Sequence, residues 1–246
     1  MNNNTPLVSI IVVTFNAIEK LRLTIENIMT LESDNYEIVV QDGASTDGTA
    51  DYLATLDSRV RWQSESDRGI YDAMNRAIDR ARGKYLWFIN AGDRIWSDKV
   101  LDSIDGSADI YYGETLIASP EGKILGLRKK RLPKRLTWRS FLRGMVVCHQ
   151  SILVSREIAP KYDLNYKTAA DIEWVIASLR RADKIVNINR VVSVFELGGE
   201  STRNRSLALR ERFEIMRRNF GWVLTVAAHI GFVFGALKPR FRKFIE

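Results

Sequence analysis

The sequence predicts an α/β domain, a mostly parallel central sheet flanked by helices and continued by a C-terminal helical extension, and three observations carry that prediction. Residues 7–15 (LVSIIVVTF) form a nearly continuous β-branched run, the mark of a strand covered on both faces. Ile70, Ala73, Met74, Ala77, Ile78 and Ala81 make a clean helical stripe just before another strand-like segment. Polar residues close three of the strands, Asn16, Asp42 and Asp93. Ligands of open parallel sheets bind beyond the carboxyl ends of strands, so these three are expected to converge on one crevice.

The elements follow in order. A helix-forming segment occupies about residues 17–29, and residues 37–41 (EIVVQ) are a second strand that stops at the turn formers and caps of residues 42–48 (DGASTDG). The helix of the apolar stripe leaves Asp72, Asn75 and Arg76 on its other side and ends at Gly83. Residues 84–90 (KYLWFIN) are the next strand, with Ala91, Gly92 and Asp93 at its far end. Residues 110–118 and 123–127, joined by the turn at 119–122 (SPEG), read as an antiparallel hairpin. Residues 146–154 (VVCHQSILV) read as a strand, 169–181 as a helix and 185–195 as a further strand or pair. With no internal repeat and no low-complexity linker, one domain over residues 1–202 and an extension over 203–246 is the simplest division.

The chain of 246 residues carries a net charge of +7, unevenly spread: residues 1–118 hold 11 basic and 19 acidic side chains, 119–200 hold 16 and 8, and 201–246 hold 10 and 3. A cation surplus confined to the later part is expected to meet an anionic partner, be it a phosphate-bearing ligand, nucleic acid or a membrane surface; a solvated basic face is the plainer alternative. Residues 128–143 contain eight cations and no acid, but only Trp138 and Phe141 interleave them and no nucleic-acid module is recognisable, so nucleic acid is not the expected partner. The single cysteine, Cys148, excludes an intramolecular disulfide, and with only His149 and His229 the usual zinc spacings are absent. The start, MNNNTP, has no charged segment leading into an apolar run, so a cytoplasmic location is expected.

The extension has its own pattern. Leu209, Phe213, Met216 and Phe220 form an apolar stripe flanked by Arg210, Arg212, Arg217 and Arg218. Residues 221–237 then run for 17 residues without a charge before Lys238, Arg240, Arg242 and Lys243 alternate with Phe241 and Phe244. A spanning helix needs roughly 17–25 apolar residues, and three glycines and a histidine weaken this run, so an interfacial helix held by cations at the cytoplasmic face of the plasma membrane is expected instead.

Four segments in sequence order, VSIIVVTFNA, EIVVQDGASTDGT, SESDRGIYDAMNRAIDRARGKYLWFINAGD and AADIEW, resemble the family 2 glycosyltransferases of the GT-A fold, in particular bacterial enzymes that build polysaccharide and lipopolysaccharide repeats; the resemblance covers about residues 6–200. It implies a Rossmann-like sheet and inverting transfer of a sugar from a nucleotide diphosphate, UDP-linked, to a hydroxyl of a glycan or lipid-linked glycan in cell-envelope biosynthesis. By the same resemblance Thr14, Asn16 and Asp42 hold the nucleotide base and ribose, a task to which a carboxylate acceptor is suited. Turn capping is the alternative for Asp42 and the preferred reading of Asp47. Asp67, Arg68 and Gly69 would lie along the diphosphate, aided by the N-terminus of the next helix, with Asp72 and Asn75 facing the cleft. Family members usually end the strand at residues 84–90 on an Asp-x-Asp metal motif; here Asn90, Ala91, Gly92 and Asp93 stand there, leaving Asp93 as the metal ligand for Mg2+ or Mn2+ and Asn90 as a neutral ligand or sugar contact. Asp171 falls at the position of the catalytic base, and Glu173 at that of a neighbour; acids favoured in a first helical turn are the alternative. His149 and Gln150 are acceptor-side residues or a satisfied core pair. Residues 198–201 (GGES) resemble a segment that closes over the donor, with Arg203 and Arg205 within reach of phosphates.

Two other classes compete. A nucleotidyltransferase also gathers carboxylates around a nucleotide, but it opens with a Gly-rich basic loop after the first strand, and TFNAIEKL is not one. A non-catalytic sugar-nucleotide or glycan-binding module is the other, motivated by the missing metal acids.

Overall fold

In the computed structural model the described residues are 5–198, 204–235 and 241–242. Strand β1 (Val8–Thr14) is the centre of the sheet, paired in parallel with β2 (Tyr36–Asp42) on one side and β4 (Tyr85–Phe88) on the other, and β3 (Val60–Ser64) extends it beyond β2. Past β4 the direction reverses: β8 (Ile152–Ser155) is antiparallel to β4, β6 (Ile110–Ala118) to β8 and β7 (Ile124–Arg128) to β6. The long β9 (Ile185–Glu196) runs parallel to β6 and also pairs with the two-residue β5 (Arg94–Ile95); β10 (Phe241–Arg242) caps the β7 edge.

The continuous apolar run of β1 is explained by its two coats. Successive side chains of a strand point to opposite faces, so Val8, Ile10 and Val12 pack with Leu21, Ile25 and Ile28 of α1 (Ile18–Met29), whereas Ile11 and Val13 share a core with Met74, Ala77 and Ile78 of α3 (Ile70–Arg80). Trp174 and Val175 of α4 (Ala170–Arg181) belong to the second core. A short α2 (Thr49–Ala54) precedes β3; neither β3 nor the length of α2 was expected from the sequence.

Two further expectations are corrected. Residues 146–154 are not one strand: the backbone turns at His149–Ser151 before β8 begins, closed by the Ser151 amide donating to the Cys148 carbonyl at 2.9 Å. The uncharged run of the extension is cut at Gly221, whose φ of +79° ends α5 (Arg205–Phe220) and starts α6 (Trp222–Gly235) in a new direction. On α5 the buried face is Ala208, Glu211, Ile215 and Met216, while Leu209 is exposed. Ile215 joins the α3–α4 core, and Phe220 stacks on Trp138 with ring centroids 5.6 Å apart, a ring also covered by the guanidinium groups of Arg139 and Arg180. The α6 helix folds back, placing His229 5.0 Å from Phe213 of α5 and Phe232 beneath the Lys130 ammonium. Lys130 is half-buried there, and the loss of solvent pushes its pKa down to about 8.

Candidate active site

The carboxyl ends of β1 and β4, the start of α3, the turn at 149–151, the approach to α4 and the end of β9 enclose a cleft of about 300 Å³. Thr14, Asn90, Asp93, Gln150 and Asp171 line it, together with Lys20, Tyr71, Lys167, Thr168 and Glu196.

Asp93 is buried in the turn after β4. Its Oδ2 accepts the Gln150 Nε2–H at 2.8 Å, its Oδ1 the Glu196 amide at 3.1 Å, and its own amide donates to the Asn90 carbonyl at 2.9 Å. Burial pushes its carboxyl up to about 7, against these hydrogen bonds, and the neighbouring Glu196 charge adds to the rise. Gln150 is itself oriented by the Cys148 thiol, which donates to its Oε1 at 3.0 Å. Glu196 is paired with Lys20 at 2.5 Å. Beside this network, Thr14 Oγ1 and Asn90 Oδ1 are buried with no hydrogen-bond partner in the protein. Orphaned polar atoms are rare because each costs its solvation without return; two on the wall of one cleft are explained by a polar ligand.

Among the described residues no group of three His, Cys, Asp or Glu side chains forms a metal cage. Three carboxylates line the cleft, Asp93, Asp171 and Glu196, and of these Asp93 shares the turn after β4 with the free amide oxygen of Asn90, a set of one carboxylate and one neutral oxygen. That set fits a hard cation such as Mg2+, which takes one or two protein carboxylates and draws its other oxygens from phosphates and water.

Asp171 lies half-buried in the first turn of α4. Its Oδ1 accepts the Ile172 amide at 3.0 Å and stands 3.4 Å from the Tyr71 hydroxyl. Burial raises its pKa, and the Arg212 charge is the main influence in the other direction. A carboxylate of raised basicity, open to a cleft, is the equipment of a general base.

The remaining expected residues divide. Asn16 and Asp42 meet at Ser45 beside the cleft without lining it: the Asn16 amide donates to Ser45 Oγ at 2.7 Å, its Oδ1 accepts the Thr46 amide at 2.9 Å, and Asp42 accepts the Ser45 amide at 3.0 Å, the Ser45 hydroxyl and the Ser64 hydroxyl at 2.6 Å. Asp93, at the end of the neighbouring β4, lines the cleft that Asn16 and Asp42 border. Asp67 closes the same corner, accepting the Gly69 amide at 2.7 Å, and its carboxylate lies where a Cβ on Gly43 would come within 2.8 Å of it. Asp47 binds helix ends, as its capping reading has it, but at two helices: it accepts the Ile18 amide of α1 at 2.9 Å and the Thr49 hydroxyl of α2 at 2.6 Å.

Asp72 does not face the cleft. It is buried under Arg68, whose amide and guanidinium it accepts at 3.1 Å, and is also paired with Arg76 at 3.3 Å; Arg68 itself stays 73% exposed. Asn75 is likewise turned away, exchanging two hydrogen bonds with the Tyr162 backbone at 3.0 and 2.7 Å. Glu173 points to α5, where it accepts the Asn219 side chain at 2.6 Å. His149 lines the cleft floor from within an aromatic cluster of Phe88, Tyr162 and Trp174, bonded to the Tyr162 hydroxyl at 2.7 Å, and burial pushes its pKa down to about 3. Gly199, Glu200, Ser201 and Arg203 lie outside the described residues, as do Lys238, Arg240, Lys243 and Phe244. None of the eight cations of residues 128–143 lines the cleft among the described residues. Sequence reasoning missed Lys20, Tyr71, Lys167 and Glu196; only Glu196, a polar residue closing an apolar strand, carried the signal used for Asp93.

A parallel sheet whose strand ends wall a polar cleft, extended by antiparallel strands, with two raised carboxylates, Asp93 and Asp171, on that cleft, is the architecture expected of a GT-A glycosyltransferase. The family model for glycosyl transferase family 2 matches residues 9–162, and the chain belongs to that family. An uncharacterized glycosyltransferase of Mycobacterium tuberculosis (Rv1514c) is 30% identical over 226 residues, covering 87% of this chain and 86% of the relative. A PGL/p-HBAD biosynthesis glycosyltransferase of the same species (Rv2957) is 30% identical over 80% of this chain and 79% of its own. Among solved structures, S. aureus TarS 1-349 in complex with UDP-GlcNAc superposes with a TM-score of 0.68 at 17% identity, covering 85% of this chain and 64% of that one. The mannosyltransferase PcManGT from Pyrobaculum calidifontis, in complex with GDP-Man and Mn2+, gives 0.57 at 18% identity over 96% and 77%. The chain is thus a glycosyltransferase.

Proposed function

We propose that the protein transfers a sugar from a UDP-linked donor to a hydroxyl of a glycan, or of a glycan carried on a lipid, with inversion at the anomeric carbon. One observation carries this: the raised carboxylate of Asp171 shares a cleft with the two orphaned oxygens, Thr14 Oγ1 and Asn90 Oδ1. UDP and UDP-GlcNAc in the TarS complexes support a uridine donor.

In the reaction, Asp171 takes the proton of the acceptor hydroxyl as its oxygen bonds to the anomeric carbon and the bond from that carbon to the diphosphate breaks. A single displacement places acceptor and leaving group on opposite sides of the sugar, so one base is enough and configuration inverts. Thr14 and the Asn16–Asp42–Asp67 corner bind the nucleoside. Exposed Arg68, anchored by Asp72, meets the diphosphate. Asp93 and Asn90 would hold Mg2+ or Mn2+, which when bound supplies positive charge to the departing diphosphate. Gln150 and the Glu196 amide orient Asp93.

The same reading places the protein peripherally on an anionic, cytoplasm-facing membrane. No helix among the described residues is long and apolar enough to cross one; the 14 residues of α6 reach about 21 Å, short of a hydrocarbon core of roughly 30 Å. The test is transfer assayed with a panel of sugar nucleotides and Mn2+. With the identified pair, Asp171→Asn is expected to lower kcat about 10²–10⁴-fold while nucleotide binding persists. Full transfer by that variant refutes the assignment of the base.

A further inference from the structure

The C-terminal helix α5 touches the site through one buried charge. Glu211 is 7% exposed. Its Oε1 accepts the Lys167 amide at 2.7 Å, and its Oε2 accepts both the Thr168 amide and the Thr168 hydroxyl at 2.8 Å. Lys167 and Thr168 line the cleft, and they lead directly through Ala169 into α4, whose second residue is Asp171. Both oxygens of the carboxylate are thus spent on the strand of backbone that delivers the base.

Packing does not call for this charge. Glu211 lies on the docking face of α5 between Ala208 and Ile215, where an apolar residue would bury more cheaply; a buried ion is often no more stabilising than a hydrophobic residue of its volume. What the carboxylate adds is direction, because charge-assisted bonds to two successive amides and a hydroxyl fix a turn that has no regular secondary structure of its own. The adjacent Arg212 acts on the same base, its cation favouring the ionised form of Asp171.

We propose that Glu211 is a positioning residue for sugar transfer: its carboxylate holds the turn at Lys167 and Thr168 so that Asp171 is presented to the acceptor, and α5 thereby completes the active site. The proposal rests on the reading of Asp171 as the base. Its test uses the full chain carrying Glu211→Gln, with Glu211→Leu as a variant that needs no buried hydrogen bonds and Asp171→Asn as the control. Glutamine keeps one acceptor oxygen and turns an amide group toward a backbone N–H. Glu211→Gln is expected to lower kcat for transfer roughly 10- to 100-fold with donor KM within about twofold of the parent, and Glu211→Leu to lower it at least as far. Hydrogen exchange of the Lys167 and Thr168 amides is expected to quicken about tenfold or more, with the amides of the later turns of α4 unchanged. A folded variant with the parent kcat, or one whose kcat and donor affinity fall together, overturns the role of Glu211. Retained transfer in Asp171→Asn removes instead the reading beneath it, so the two failures are told apart.

Discussion

Thr14 shows how a single atom separates binding from stability. A buried hydroxyl with no partner costs free energy in the empty protein and returns it only when a ligand supplies the hydrogen bond. Thr14→Val keeps the shape and removes the orphan, so the substitution is expected to stabilise the free protein by about 1 kcal/mol while raising the donor KM roughly fivefold to tenfold. Thermal unfolding and donor titration read the two effects separately; a destabilised variant with unchanged KM would show that the hydroxyl serves the fold. At this scale the sequence was uneven. Asp171 and Asp93 stood out because motif context surrounds them, and both reach the cleft. Asp72, Asn75 and Glu173 sat in equally suggestive places, yet each found a neighbour in the fold first. For Asn75 and Glu173 the partner lies 87 and 46 residues away, at Tyr162 and Asn219, and no local pattern encodes it, whereas Asp72 pairs with Arg68 and Arg76 at the i,i+4 spacing of a helix face.

Among the elements, the turn at His149–Ser151 departs most from expectation. Its apolar neighbours read as strand, but the segment turns because His149 reaches the Tyr162 hydroxyl, Gln150 reaches Asp93 and Ser151 bonds the hydroxyl of Ser193 at 2.6 Å. The strand β3 was illegible for the opposite reason: its sequence VRWQS is short and mixed, with only Val60 buried, and its place at the sheet edge asks for no apolar run. By contrast α3 was plain, since one face meets a sheet and its stripe has to be continuous. The buried imidazole gives the turn a pH signature. Burial holds His149 at about 3, below the roughly 6.5 of an unfolded histidine, so the folded state excludes a proton that the unfolded state binds. Its contribution to stability is complete above pH 6.5 or so and is lost as pH falls toward 3; on the order of 3 kcal/mol should go between pH 7 and pH 4. Denaturant melts across that range are expected to fall more steeply for the parent than for His149→Phe, and equal slopes would remove His149 as the cause.

Over the whole molecule, the uneven charge seen in the sequence acquires a shape. The acidic first half builds the parallel strands and the donor corner, while the cations Lys130, Arg139 and Arg180 sit where Trp138, α5 and α6 pack together. There α6 exposes Trp222, Val223 and Leu224, with Val223 82% accessible, on a helix flanked by the arginines of α5. Apolar side chains beside cations favour an anionic lipid surface. Val223→Glu is expected to cut sedimentation with phosphatidylglycerol vesicles severalfold while shifting stability by less than about 0.5 kcal/mol, since an exposed side chain supports no packing; undiminished pelleting would place the lipid contact elsewhere. The break at Gly221 then has a mechanical meaning. It joins, within one hairpin, the helix whose Glu211 grips the approach to Asp171 and the helix that faces outward, so the cleft cannot tilt independently of that outer face. Under the proposed lipid contact, such a coupling would act as a gauge, setting one height at which an acceptor hydroxyl meets its base.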